Sequence, residues 1–268
     1  MNVAISILMP SYNPGQYGIQ AVESVLQQLG PADEIVIQDG NSTDGWLADV
    51  MKLDDSRVKI VSEPDEGQAD ALNKALLRAS NDWVGWLNAD DVYFDGALNS
   101  IRSAADSDAG MNALYGNFSV IDAEGSVIYR KNVPEISLKT LALKGCGVFS
   151  GSFFVRRCDL NRAGGFSKEY QYCMDYELYL RLWSMESFRG TRMTCQIGAL
   201  RIHPGTKTSS APWSFFWEAR KARRSLIGDR WLLLASGGET FRHALTAGTH
   251  RLRQTKMYRD TRNRFSNV

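Results

Sequence analysis

The sequence predicts an α/β doubly wound domain, a mostly parallel sheet with helices on both faces, followed by a C-terminal helical extension. Three observations carry that expectation. Short apolar runs recur at strand length through the first hundred residues, stretches with helical spacing separate them, and the runs end in polar clusters. Strands covered on both faces read as near-continuous apolar runs, whereas a sheet with one wet face alternates. The 268 residues are 44% hydrophobic, ample for a core, and 7 Pro and 23 Gly are ordinary proportions. Disordered, collagen-like and low-complexity chains are thereby excluded, and no internal repeat is visible.

Val3 to Met9 is the first expected strand, ended by Pro10, and Ala21, Val22, Val25, Leu26 and Leu29 then follow helical spacing. Glu34 to Gln38 and Val58 to Val61 read as the second and third strands. Ala71, Leu72, Ala75, Leu76 and Ala79 form one stripe on an expected helix from Gln68 to Ala79, and Trp83 to Leu87 reads as the fourth strand. From about residue 112 the pattern changes. Ala113 to Asp122 and Ser126 to Arg130 predict an antiparallel hairpin around Ala-Glu-Gly, Ser152 to Arg156 a strand, and Met174 to Trp183 a helix. Residues 213–227 and about 238–259 read as Arg-rich helices. The expected organisation is a catalytic domain over 1–210, in halves 1–111 and 112–210, with an extension over 211–268.

Ligands of such sheets bind beyond the carboxyl ends of the strands. Those places are polar here: Ser11-Tyr12-Asn13, Asp39 through Gly45, Glu63 through Gly67, and Asn88-Ala89-Asp90-Asp91. The adjacent carboxylates Asp90 and Asp91 suit Mg²⁺ or Mn²⁺, which take one or two carboxylates together with waters and substrate phosphates. Helix capping is the plain alternative for an isolated pair. It does not account for Asp39 and Asp44 arriving at the same edge, where carboxylates repel one another.

The segments ISILMPSYN, EIVIQDGNSTDG, SEPDEGQADALNKAL, WVGWLNADD, and GGF followed by MDYELYLRL resemble, in order and spacing, the motifs of family 2 glycosyltransferases of the GT-A fold, of the bacterial surface-polysaccharide type. The likeness covers roughly residues 3–183. It implies a Rossmann-like GT-A domain and inverting, metal-dependent transfer of a sugar from a nucleoside diphosphate sugar to an acceptor hydroxyl. On that resemblance Pro10, Tyr12 and Asn13 flank the nucleoside, and Asp39 accepts from the base. Asp90 lies near ribose and donor sugar, Asp91 ligates Mn²⁺ or Mg²⁺, and Asp175 is the general base. Glu177 is the next candidate base. Two departures stand out. Met174 replaces a Glu that would neighbour the base, and Leu72 stands where many relatives carry Arg before Asn73. His203 and Lys207, in a polar turn after a probable strand, resemble a late histidine segment that closes over the diphosphate in some relatives; a plain exposed turn is the alternative.

The net charge of +1 conceals an asymmetry: residues 201–268 hold 14 Lys and Arg against 4 Asp and Glu. Trp213, Trp217, Arg220 and Arg224 share one helical face and Phe215, Ala219, Ala222 and Leu226 the other, so 213–264 is expected either to meet an anionic membrane or to pack on the acidic body or a second subunit. No nucleic-acid partner is expected. Cys146, Cys158, Cys173 and Cys195 lack metal-ligand spacing and read as buried free thiols, which favours a cytoplasmic location, with peripheral attachment to the inner face of the plasma membrane. No export signal or spanning segment is visible, and the expected acceptor is a carbohydrate or lipid-linked intermediate. A dehydrogenase lacks its GxGxxG, and a nucleotidyltransferase its Gly-rich turn with Arg and Lys. A Mg²⁺ phosphohydrolase and an inactive sugar-nucleotide-binding scaffold remain as alternatives.

Overall fold

The four expected parallel strands open the chain in a computed structural model that describes residues 3–206 and 212–227. They are β1 (Ile5–Ser11), β2 (Glu34–Asp39), β3 (Val58–Ser62) and β4 (Trp83–Trp86), ordered β3-β2-β1-β4. Every residue of β1, β2 and β4 is buried, as their unbroken apolar runs require. Helix α1 (Gln16–Leu26) buries Ala21, Val22 and Val25 and starts five residues before its apolar stripe. Helix α2 (Trp46–Met51) has one turn and a half, too short for a periodic signal. Helix α3 (Gln68–Arg78) buries the expected stripe.

The second half turns the sheet from parallel to mixed. After β5 (Val92–Tyr93) and α4 (Ala97–Ser107) come β6 (Ala113–Ile121) and β7 (Val127–Lys131), the expected hairpin. Next are α5 (Leu138–Lys144), β8 (Phe153–Arg156), α6 (Arg157–Arg162), α7 (Met174–Ser184) and β9 (Gly190–Arg201). The sheet order is β3-β2-β1-β4-β8-β6-β9-β5, with β7 on β6. Strand β8 pairs antiparallel with both β4 and β6, while β9 runs parallel to β6. The first four strands are parallel as expected, and the second half adds antiparallel pairs beside the parallel pair of β6 and β9. Trp86 of β4 packs against Phe153, Phe166 and Tyr179, at ring separations of 5.6, 5.0 and 6.3 Å. The two halves thus share one core.

Helix α8 (Pro212–Ile227) lies against α7 and buries Ala219 and Ala222 in that core. Trp213 and Trp217 remain 67% and 62% exposed. All four cysteines are free, but only Cys173 is buried and Cys158 is exposed, which corrects the expectation of four buried thiols. Lys207 and the helix expected over 238–259 lie outside the described residues.

Candidate active site

Two strand-end loops are sewn together at the carboxyl edge. The Asn13 amide donates to Ser42 Oγ at 2.7 Å, and the Thr43 amide donates to Asn13 Oδ1 at 2.8 Å. Asn13 adopts φ 47°, a left-handed turn that Asn tolerates better than most residues. Asp44 accepts from the Gly15 amide at 2.7 Å, so its role is to hold the chain entering α1. Pro10 is buried in β1, and Tyr12 stands 69% exposed above the loops.

Asp39 is placed differently from its expected contact with a base. Strand register sets Ser11, Asp39 and Ser62 side by side, and the hydroxyls of both serines close on the carboxylate at 3.0 and 2.7 Å. Ser42 donates through its hydroxyl at 2.5 Å and its amide at 2.8 Å, and Trp46 Nε1 at 3.1 Å. Burial would raise the Asp39 pKa, but the Ser42, Ser62 and Trp46 donors outweigh it and hold the group below the usual carboxylate value. With no accessible surface and five donors on about four lone-pair sites, Asp39 meets a base N–H only by releasing one of these hydroxyls.

The adjacent carboxylates have opposite environments. Asp91 has no accessible surface; Oδ1 accepts from the Arg201 amide at 2.9 Å and Oδ2 from Asn88 Nδ2 at 3.1 Å. Burial, then the Asp90 charge, push its pKa well above the usual value. Asn88 also accepts from Gln68 Nε2 at 2.6 Å, so one chain of bonds links α3, the end of β4 and the end of β9. The side chain of Asp90 is 30% exposed and meets His203 Nε2 at 3.1 Å. Asp91, the expected metal ligand, is thus buried with an acceptor bond on each oxygen, and Asp90 is the accessible member of the pair. His203 Nδ1 accepts from the Gly205 amide at 3.2 Å, which leaves Nε2 to carry the proton given to Asp90. Its ring lies 4.9 Å from that of Tyr17, at the start of α1 beside the 11–15 loop. Arg201 is buried, donating to the Asp90 and Ala123 carbonyls and to Gln20, and cannot reach a phosphate.

Among the described residues no group of three or more His, Cys, Asp or Glu could hold a metal alone. A cation that takes one carboxylate and completes its shell with diphosphate and water fits the accessible Asp90.

On the other side of the core, Asn73 clamps the Gly164-Gly165-Phe166 turn, accepting from the Phe166 amide at 2.8 Å and donating to its carbonyl at 2.7 Å. Gly165 has φ 71°, and a Cβ there would sit 2.5 Å from Asn73 Oδ1, so only glycine fits. Leu72, beside it, is wholly buried, which leaves no room for a phosphate-binding side chain at that position. Asp175 lies in the first turn of α7, half-buried, and burial raises its pKa to about 6 against the opposing Tyr176 amide, which donates to Oδ1 at 2.7 Å. The missing glutamate at Met174 is therefore not needed to tune it. Glu177 is buried and holds Arg181 through two bonds of 2.7 Å, while Arg181 also donates to the Gly165 carbonyl at 2.8 Å. Glu177, the other candidate base, is engaged with Arg181 and through it braces the glycine turn.

Residues 6–165 match the family model described as glycosyl transferase family 2. The chain belongs to this family. This glycosyltransferase is 30% identical over 179 residues to the Escherichia coli UDP-Glc:alpha-D-GlcNAc-diphosphoundecaprenol beta-1,3-glucosyltransferase WfgD, covering 66% of the chain and 69% of the relative. It is 28% identical over 194 residues to chondroitin synthase of Pasteurella multocida, covering 71% of the chain but only 20% of that much longer relative. The fold is that of S. aureus TarS 1–349 in complex with UDP-GlcNAc, with a TM-score of 0.66 at 19% identity over 89% of this chain and 69% of that one. A mannosyltransferase from Pyrobaculum calidifontis, in complex with GDP-Man and Mn²⁺, superposes with a TM-score of 0.58 at 19% identity over 96% of this chain and 82% of that one. The GT-A architecture expected from the motifs is thereby shown.

Sequence reasoning missed Gln68, Tyr17 and Arg201 as neighbours of the site residues. Asn88, within WLNADD, was the one partner of Asp91 with a local signal. Arg201 reaches Asp91 across 110 positions, and no spacing rule finds such a pair.

Proposed function

We propose that this glycosyltransferase moves a sugar from a nucleoside diphosphate sugar to a hydroxyl of a lipid-linked or polysaccharide intermediate, with inversion and with Mn²⁺ or Mg²⁺ held by Asp90. The observation that carries this reading is the accessible Asp90 paired with His203, beside the loops at 11–15 and 40–46. The cation, when bound, supplies Lewis-acid stabilisation of the departing diphosphate. Asp90 would hold the cation, and the His203 Nε2–H, now on Asp90, would donate to a diphosphate oxygen. Tyr12 and Asn13 border the nucleoside, and Asp39 holds the 40–46 loop in shape and yields one hydroxyl contact to the base. Asp175 takes the acceptor proton as the acceptor oxygen attacks the anomeric carbon and the bond to the diphosphate breaks. The diphosphoundecaprenol in the name of the E. coli relative supports a lipid-linked acceptor.

The test is thermal shift with UDP-glucose, UDP-N-acetylglucosamine and GDP-mannose, each with Mn²⁺. A donor at 100 times its dissociation constant stabilises the fold by about 2.7 kcal/mol, and one of these nucleotides is expected to do so. No shift with any of them, with or without metal, would overturn the reading.

No described helix is long and apolar enough to cross a membrane. Exposed Trp213, Trp217 and Arg220 on α8 suit the cytoplasmic surface of an anionic bilayer, where each Lys or Arg adds about 1 kcal/mol. Co-sedimentation with phosphatidylglycerol vesicles is expected to fall as salt rises and to be lost in Trp213→Ala/Trp217→Ala. Binding that persists in that variant, or ignores lipid charge, would assign this face to a partner subunit.

A further inference from the structure

Helix α8 carries a carboxylate whose partners lie in the segment leading into α7. Glu218 Oε1 accepts from the Gln171 amide at 3.0 Å, and Oε2 accepts from the amides of Tyr172 at 2.8 Å and Cys173 at 3.1 Å. Three successive amides turned to one carboxylate form a backbone anion nest, here filled by a side chain from 45 or more positions away. Asp175 stands two residues beyond the last of them. Helix α7 has no side-chain cap of its own: Cys173 occupies the cap position and its side chain makes no capping bond. Glu218 thus takes up the amide of the cap residue Cys173 and those of the two residues before it, which fixes the backbone that enters α7. The same seam is fastened by Lys221, which pairs with Glu169 at 2.8 Å and lies 4.9 Å from the Tyr170 ring centroid, and by the burial of Ala219 and Ala222.

We propose that Glu218 is a positioning residue for Asp175, so that the C-terminal helix belongs to the catalytic apparatus by fixing the backbone that presents the base. This rests on the reading of Asp175 as the base. The physical ground is that general-base transfer needs hydrogen-bond geometry, and a displacement of about 1 Å costs about 100-fold. The amides of 171–173, released to water, let the first turn of α7 fray and move Asp175 with it.

The experiment is a double-mutant cycle on the full chain, with turnover read as nucleoside diphosphate released from the donor selected above and a short-chain prenyl diphosphate-linked N-acetylglucosamine as acceptor. Glu218→Ala is expected to lower kcat about 10- to 100-fold with donor KM changed less than about 2-fold. Glu218→Gln, which keeps one carbonyl oxygen for the Tyr172 and Cys173 amides, is expected to recover most of that loss. In an Asp175→Asn background neither change is expected to lower turnover further, because a residue acting only through Asp175 has nothing left to position. Wild-type kcat in Glu218→Ala, or a loss that multiplies with that of Asp175→Asn, would overturn the proposal alone. Near-normal turnover in Asp175→Asn would overturn the base assignment and the positioning role with it. Should Glu218→Ala not yield folded protein, Glu218→Gln carries the same cycle with a smaller loss.

Discussion

Asp175→Asn is expected to lower transfer by about 10²- to 10⁴-fold while leaving donor affinity unchanged, because it removes the proton acceptor and little else. The wild-type rate is expected to fall in acid with a midpoint near the Asp175 pKa of about 6, and that limb disappears in the variant. Stability moves the other way. The folded pKa lies above the ordinary carboxylate value, so the native state binds more protons than the unfolded chain between pH about 4 and 6. Stability from this group is greatest below that window, falls as pH rises through it, and is lost above about 6. At neutral pH the wild type holds a charge that its surroundings disfavour, and Asp175→Asn is expected to raise Tm there. A variant inactive but no more stable would show that burial does not tune the base, and one with normal turnover would move the base elsewhere.

Asp90→Ala is expected to abolish the metal-dependent part of nucleoside diphosphate binding with Tm little changed, whereas Asp91→Ala is expected to do the reverse. Asp91 is buried and holds the Arg201 amide and Asn88, so its removal strands one buried backbone donor at about 1–3 kcal/mol and frees the half-buried Asn88 amide. Asp90 is accessible and gives up only its bond to His203. Calorimetry with and without chelator, beside thermal melts, separates the two. Asp91→Ala losing metal dependence with an intact melting curve would return the cation to Asp91. The contrast is between neighbours of identical chemistry, so a general effect of charge removal cannot imitate it.

Much of the first half was legible because its signals are local. Strands β1, β2 and β4, buried along their whole length, announce themselves as apolar runs, and α3 shows its stripe at Ala71, Leu72, Ala75 and Leu76. Helix α4 carries a comparable stripe in Leu98, Ile101 and Ala105. Strand β5, at two residues, exists because Val92 and Tyr93 pair with Ala199 and Gly198 of β9, and its own sequence carries no strand period. In the second half, the turn Gly164-Gly165 was visible as glycines, but its clamp by Asn73 was not, since the partners are 93 positions apart.

The sequence by itself determined the fold class, the family motifs and the collection of carboxylates at the carboxyl edge of the sheet, because apolar periodicity and strand-end chemistry are written within a few residues. Only the tertiary structure decided how each carboxylate is surrounded. Asp90 and Asp91 are indistinguishable as letters; the arrival of β9, which gives Asp91 the Arg201 amide and Asp90 the His203 ring, buries one and exposes the other. Asp175 and Glu177 likewise differ only in surroundings, one half-buried with a raised pKa and the other committed to Arg181. Protonation and ligand preference follow from burial and hydrogen-bond partners, and those are set by residues far away in the chain.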